Sequence, residues 1–258
     1  MSNPIADIFK GLHGALNENN LTLLSTLIDR KVISEKLYKE AVNYLGVDED
    51  YLFYDPSAIL SPMVYYDGLI YCDLYNLDIN ALKFIKVKER LYNQIKDFNT
   101  FLKEKKFDEL FMFMDKRLLI PSFIRMYDEM PIKGRYEIFV TLYIRSETGF
   151  EMFTDEFLKK VFSERRLSKE WAARMRLFKK EAIKNEAGLI AVFHGHNKEY
   201  NPHDVYSWTL SKKTAQFFAN RFEQRGVVEK KYILSRDVID YFQSRGEQEV
   251  ILKTHLIK

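Results

Sequence analysis

One cysteine, Cys72, stands among the 258 residues, so no disulfide can close within the chain. A disulfide scaffold is excluded, and a lone thiol of this kind reads as a small apolar core residue. Apolar runs are short as well. None reaches the ~18 residues that would mark a membrane-spanning helix, and the chain starts with no basic segment followed by an apolar stretch and a cleavage site. Charge of one sign is also lacking: 40 basic and 37 acidic residues leave a net +3, too little for the global field of a nucleic-acid binder. No Walker or dinucleotide-type glycine-rich loop and no G-x-S-x-G elbow occurs. His194 and His196, with His203 nearby, lack the cysteine or carboxylate spacing of a zinc site. Repeats, low-complexity tracts and Gly/Ser linkers are missing, so any domain boundary must be read from changes in periodicity. These absences lead us to expect a soluble cytoplasmic protein with no membrane partner.

What is present is core-forming material, 47% hydrophobic and 15% aromatic. The first part reads as helical. Ile5, Ile8, Phe9, Leu12 and Leu16 make one helical face, and helices follow over 21–30 and 34–45, the latter stopped by Gly46. Residues 63–75 change character: Asp67-Gly68 between VYY and LIY predicts a β-hairpin. One long helix is expected over 80–104, and others over 107–115, 118–129, 131–145 with proline in the first turn, and 154–162. The FMFM cluster at 111–114 reads as core. A helix over 165–186 carries an excess of basic residues and buries Leu167, Trp171, Met175, Phe178 and Ala182. Such a face is ordinarily solvated, with nucleic acid or an acidic partner as the lesser reading.

Residues 188–252 organise the rest. The run 189–193 suits a buried strand ending at a glycine turn. Ser211 is placed to cap a helix whose face is Ala215, Phe218, Ala219 and Phe222, with Gly226 beyond its end. A strand over 227–233 follows, then a short amphipathic helix capped by Ser235 and reaching Tyr241, then a β-rich run opened by Glu249. Phe217, Phe218, Phe222 and Trp208 read as core. Polar residues gather at strand ends: His194 and Gly195, Ser207 and Thr209, Glu247 and Glu249. Strand ends can converge on one cleft while the strands stay packed.

This order of motifs, His-Gly, then Ser-x-Thr, then Glu-x-Glu, resembles the ADP-ribosyltransferase superfamily, and in particular small transferase-like proteins of bacteria and their phages. The resemblance covers about residues 188–252. It implies a C-terminal core over 188–258 built on a small mixed or antiparallel split sheet; with the mainly helical region over 1–187 and its hairpin near 63–75 read from periodicity, the expectation is an α+β fold packed as one continuous body. It also implies a mono-ADP-ribosyltransferase that uses NAD and transfers ADP-ribose to a protein or nucleic-acid acceptor in the cytoplasm of a bacterium or a phage-infected host.

Cleaving the nicotinamide–ribose bond passes through an oxocarbenium-like state, which a carboxylate beside the ribose stabilises. By the resemblance Glu249 is that carboxylate. Glu247, two residues earlier and so on the same strand face, serves the acceptor. Ser207 braces Glu249 or the ribose, Thr209 shares its face, His194 bonds the adenosine ribose or a phosphate, and the Gly195 backbone holds the nicotinamide amide. Tyr206 would stack on nicotinamide. The alternative is a catalytically inactive protein of the same fold that sequesters or inhibits a host protein. Only 12 residues separate His194 from Ser207, a short nicotinamide-side segment that keeps this alternative open.

Overall fold

The computed structural model describes residues 21–56, 62–146, 152–196, 207–220, 226–243 and 246–252. The expected helix face at residues 5–16 lies outside them, as do Tyr206 and Phe222. The chain divides into two compact units, Met1–Met130 with Thr141–Met152, and Pro131–Val140 with Phe153–Lys258. Helices and antiparallel sheets are combined throughout, an α+β arrangement.

In the first unit a four-stranded antiparallel sheet has the order β1 (Thr22–Leu23), β2 (Leu52–Tyr54), β3 (Met63–Tyr66), β4 (Tyr71–Asp73). The first two strands carry too few residues for any alternation to be read in sequence. The hairpin is present but its turn is wider than an Asp-Gly pair: Tyr66 faces Tyr71 across residues 67–70. Asp67, buried, closes it by accepting from the Leu69 and Ile70 amides at 3.0 and 2.8 Å and from the Tyr65 hydroxyl at 3.0 Å. The aspartate side chain therefore builds this turn, an Asx-type closure.

Among the described residues this unit holds the helices α1 (Leu24–Asp29), α2 (Glu35–Leu45), α3 (Ile79–Phe84), α4 (Val87–Lys103), α5 (Phe107–Phe113) and α6 (Lys116–Met126). Gly46 ends α2 at φ 68°, the left-handed cap that glycine adopts without strain. The long helix expected over 80–104 is two. Asp78 caps α3 through the Asn80 and Ala81 amides, and Lys86 at φ 52° breaks the ladder before α4. Apolar spacing survives the break, which is why periodicity alone read straight through it. The FMFM expectation is corrected by half: Phe111 and Met114 are buried, Met112 and Phe113 exposed.

The helix α7 (Ile132–Arg145) gives its start to the second unit and its end to the first. The second unit continues with α8 (Asp155–Glu164), capped by Thr154, and α9 (Lys169–Glu181), capped by Ser168. The basic helix is thus shorter than 165–186. Ser168 restarts it after a 3-10 turn, and Leu167, 50% exposed, is not on its buried face.

Five antiparallel strands follow in the spatial order β7-β5-β6-β9-β8, namely β5 (Ile190–His196), β6 (Ser207–Thr209), β7 (Val227–Ile233), β8 (Val238–Phe242) and β9 (Glu249–Leu252), with α10 (Lys212–Ala219) between β6 and β7. Residues 235–241 are not the expected amphipathic helix: a 3-10 turn over Ser235–Asp237 leads into β8. All five residues of VIDYF are buried, so there is no polar face for a helix to present. Phe178, Ile190, Val192, Trp208, Tyr241 and Val250 form the core between α9 and the sheet.

A buried polar knot fastens α9 to this sheet. Asp240, 1% exposed, accepts from Arg174 Nε and Nη2 and from the Tyr136 hydroxyl, all within 3.1 Å. The remaining edge of the Arg174 fork meets Glu137 at 2.7 and 2.9 Å. Guanidinium geometry matches two carboxylates at once here, which joins α7, α9 and β8.

Candidate functional site

Among the described residues pairing is sparsest in the middle of the sheet: β5 and β7 pair over seven residues and β6 and β9 over three, but β5 and β6 share a single pair, Phe193 with Thr209. At this seam a cleft of about 250 Å3 is lined by residues of β5, β6, α10 and the start of β9. His194, Gly195, Ser207, Thr209, Glu247 and Glu249 all contribute to its wall, so six residues from three separate sequence motifs are brought together.

Strand alternation sorts them. Thr209 stands opposite Glu249 and Ser207 opposite Ile251, so Ser207, Thr209 and Glu249 share one sheet face. On that face the Ser207 hydroxyl donates to Glu249 Oε1. The link is diagonal across adjacent strands, a spacing that pleated antiparallel pairs bring within reach. A hydroxyl in this place fixes the carboxylate's orientation without neutralising its charge.

His194 and Gly195 lie within β5, not in a turn after it, since the strand runs on to His196. Phe193 pairs with Thr209, so alternation sends the His194 ring to the other face. There it meets Trp208 at 5.6 Å and stacks on His196 at 5.5 Å. Its Nδ1 is 3.0 Å from the Ser207 carbonyl oxygen. A carbonyl can only accept, so Nδ1 carries the proton and Nε2 is the acceptor of the neutral ring. Burial lowers the His194 pKa, with His196 pushing the same way and the Ser207 carbonyl opposing.

Gly195 is required for a reason other than a ligand's approach. A Cβ there would stand 1.8 Å from the Ala215 carbonyl oxygen, so α10 crosses β5 in direct backbone contact. Ser211 caps α10 as expected, accepting from the Thr214 amide at 3.1 Å. That packing delivers Thr214, Ala215 and Phe218 to the cleft. Phe218, read from sequence as core, is part of the wall, and Phe217 is 65% exposed.

Glu247 does not share a strand with Glu249. β9 begins at Glu249, and Gln248 between them has φ 49°. The approach is held by Thr209, whose hydroxyl donates to the Glu247 carbonyl at 2.6 Å and accepts from the Ser211 amide at 3.0 Å, and by the Leu210 amide on the Gln248 carbonyl at 3.0 Å. The Thr209 hydroxyl thus serves the loop. Among the described lining residues there are two carboxylates, the aromatic residues Phe193 and Phe218, and no lysine or arginine, while the Trp208 ring belongs to the core on the other sheet face. No three His, Cys, Asp or Glu side chains among the described residues gather as a metal site.

No family model, curated protein or solved structure matches the chain. The chemistry must therefore be read from the cleft itself. An oriented carboxylate beside a second one, between aromatic and aliphatic walls, suits a ligand group that is cationic or becomes so during reaction.

Proposed function

We propose that the cleft is the nicotinamide-side site of an NAD-dependent mono-ADP-ribosyltransferase-like protein. The observation that carries this reading is the Ser207 hydroxyl on Glu249 Oε1 inside a cleft that also holds Glu247. Glu249, oriented in this way, stabilises the oxocarbenium-like ribose as the bond to nicotinamide breaks, and electrostatic help of that kind acts most strongly where water is excluded. Phe193 and Phe218 offer flat apolar surface to a nicotinamide ring. Glu247, entering from the loop, faces the same space and is assigned to the acceptor, a side chain of a protein or a group on nucleic acid. The fit is to the nicotinamide and its ribose rather than the whole dinucleotide, because about 250 Å3 is below the usual range of small-molecule pockets, ~300–1,000 Å3. Nicotinamide release from NAD, followed with wild type and Glu249→Gln, tests the assignment. Release by wild type and its loss in a folded variant are expected, and equal rates would sink the mechanism.

A second reading is favoured by one feature. The described wall offers no lysine or arginine to a pyrophosphate. A protein of this fold without turnover would use the surface around the cleft to sequester or inhibit a partner protein, such as a host protein during phage infection. Absence of NAD binding at millimolar concentration would select it.

A further inference from the structure

Glu181, the last residue of α9, is not among the residues that line the cleft, yet it reaches the loop that does. Its Oε2 accepts from the Tyr241 hydroxyl and from Gln248 Nε2 at 3.3 Å, and its Oε1 accepts from Gln243 Nε2. One carboxylate therefore ties β8, the residue just after it, and the residue just before β9. Hydrogen bonds to an ionised acceptor are stronger than neutral ones, so three donors converging on Glu181 make a firm anchor.

Gln248 is where that anchor matters. At φ 49° it occupies the left-handed region, which residues bearing a side chain adopt only when their surroundings hold them there. The residues on either side of this step are Glu247 and Glu249, both on the cleft wall. The same step turns the Gln248 carbonyl to the Leu210 amide and the Glu247 carbonyl to the Thr209 hydroxyl. Backbone bonds hold the loop from the β6 side, and Glu181 holds it from the α9 side.

We propose that Glu181 is a positioning residue, gripping the Gln248 side chain so that the left-handed step presents Glu247 and Glu249 to the cleft. Its catalytic consequence rests on the transferase reading above, whereas its structural consequence does not. Nothing near residue 181 in the sequence marks this role, because the partner lies 67 residues away.

The test combines Glu181→Leu, Glu181→Gln and Gln248→Gly in the full chain, with two readouts. In Glu181→Leu, amide exchange at Leu210 should rise by about tenfold while Val192 is unchanged, the signature of local rather than global opening. The kcat for nicotinamide release should fall by about tenfold with KM within about twofold, as expected when groups are misplaced but binding is kept. Glu181→Gln keeps an acceptor for the Gln248 amide and should restore both readouts. Glycine takes the left-handed step unaided, so in the Gln248→Gly background Glu181→Leu should add almost nothing. Unchanged Leu210 exchange in Glu181→Leu, or an equal effect of that substitution in both backgrounds, would overturn the proposal. Should Glu181→Leu fail to fold, Gln248→Leu removes the amide while sparing Tyr241 and Gln243. It should reproduce the faster Leu210 exchange, and a wild-type rate there would count against the anchor. If wild type releases no nicotinamide while the exchange pattern appears as expected, the loop anchor stands and only the reaction is refuted.

Discussion

Asp240 and Glu249 lie on adjacent strands, β8 and β9, and are held in different ways. Asp240 is sealed from solvent, takes two bonds from one guanidinium and a third from a tyrosine hydroxyl, and shares that guanidinium with Glu137. Glu249 accepts from the Ser207 hydroxyl at the wall of a cleft. A carboxylate locked to arginine has its charge cancelled by a neighbour and contributes to joining elements. A carboxylate aimed by a neutral hydroxyl keeps its field directed at whatever enters. The first arrangement joins elements, and the second is the one to which the proposed reading assigns the chemistry.

Substitutions that separate stability from function test this contrast. The largest effect on stability belongs to Asp240→Ala, which leaves Arg174 and Tyr136 without their shared partner. Removing one side of a buried ion pair costs about 3–5 kcal/mol, to be read as a lower denaturant midpoint. A loss below ~1 kcal/mol would mean that the knot does not fasten α9 to the sheet. Gly195→Ala comes next, because its methyl group would meet the backbone of α10 and not a flexible side chain. Overpacking of this kind costs about 1–3 kcal/mol. Denaturant unfolding should show that loss with or without NAD, which distinguishes a packing glycine from a ligand-contacting one.

Ser207→Ala moves to the other side of the comparison. It removes one hydrogen bond to a charged group at a partly exposed wall, so the stability loss should stay within about 1.5–3 kcal/mol, below that of Asp240→Ala, while kcat for nicotinamide release drops by about tenfold. Equal kcat in the variant would show that Glu249 is oriented by other means. The smallest effect concerns His194. Its folded-state pKa lies below the ordinary value, so the unfolded chain takes up the proton first as pH falls. The stability contributed by the neutral ring is complete above the unfolded pKa and is lost as pH falls through the folded one. Thermal midpoints should therefore decline on going from pH 7.5 toward pH 5, and the decline should be shallower in His194→Gln.

The same contrast explains what could be read from the sequence. The capped helix α10 and strand β5 were legible because each has a local signal, Ser211 as cap for the one and the apolar run 189–193 for the other. The gathering of Ser207, Glu247 and Glu249 was legible through the order of motifs. Faces and bounds were not. The seam between β5 and β6 is a long-range pairing, and it alone decides that the His194 ring goes to Trp208 while Ser207 goes to Glu249. VIDYF reads as a short helix until burial on both sides makes it a strand. Lys86 and Gln248 hold left-handed steps with no glycine to announce them. Arg174 with Asp240 and Glu181 with Gln248 are joined across 66 and 67 residues, beyond any local pattern.

The most direct measurement is a calorimetric titration of NAD into the purified protein, with nicotinamide release followed in parallel for wild type and Glu249→Gln. The account predicts binding by both proteins and slow release by wild type alone, with a loss in the variant of about 10²–10³ in rate, the scale of removing one group that stabilises transition-state charge. Equal release by both proteins, or no NAD binding at millimolar concentration, would contradict it.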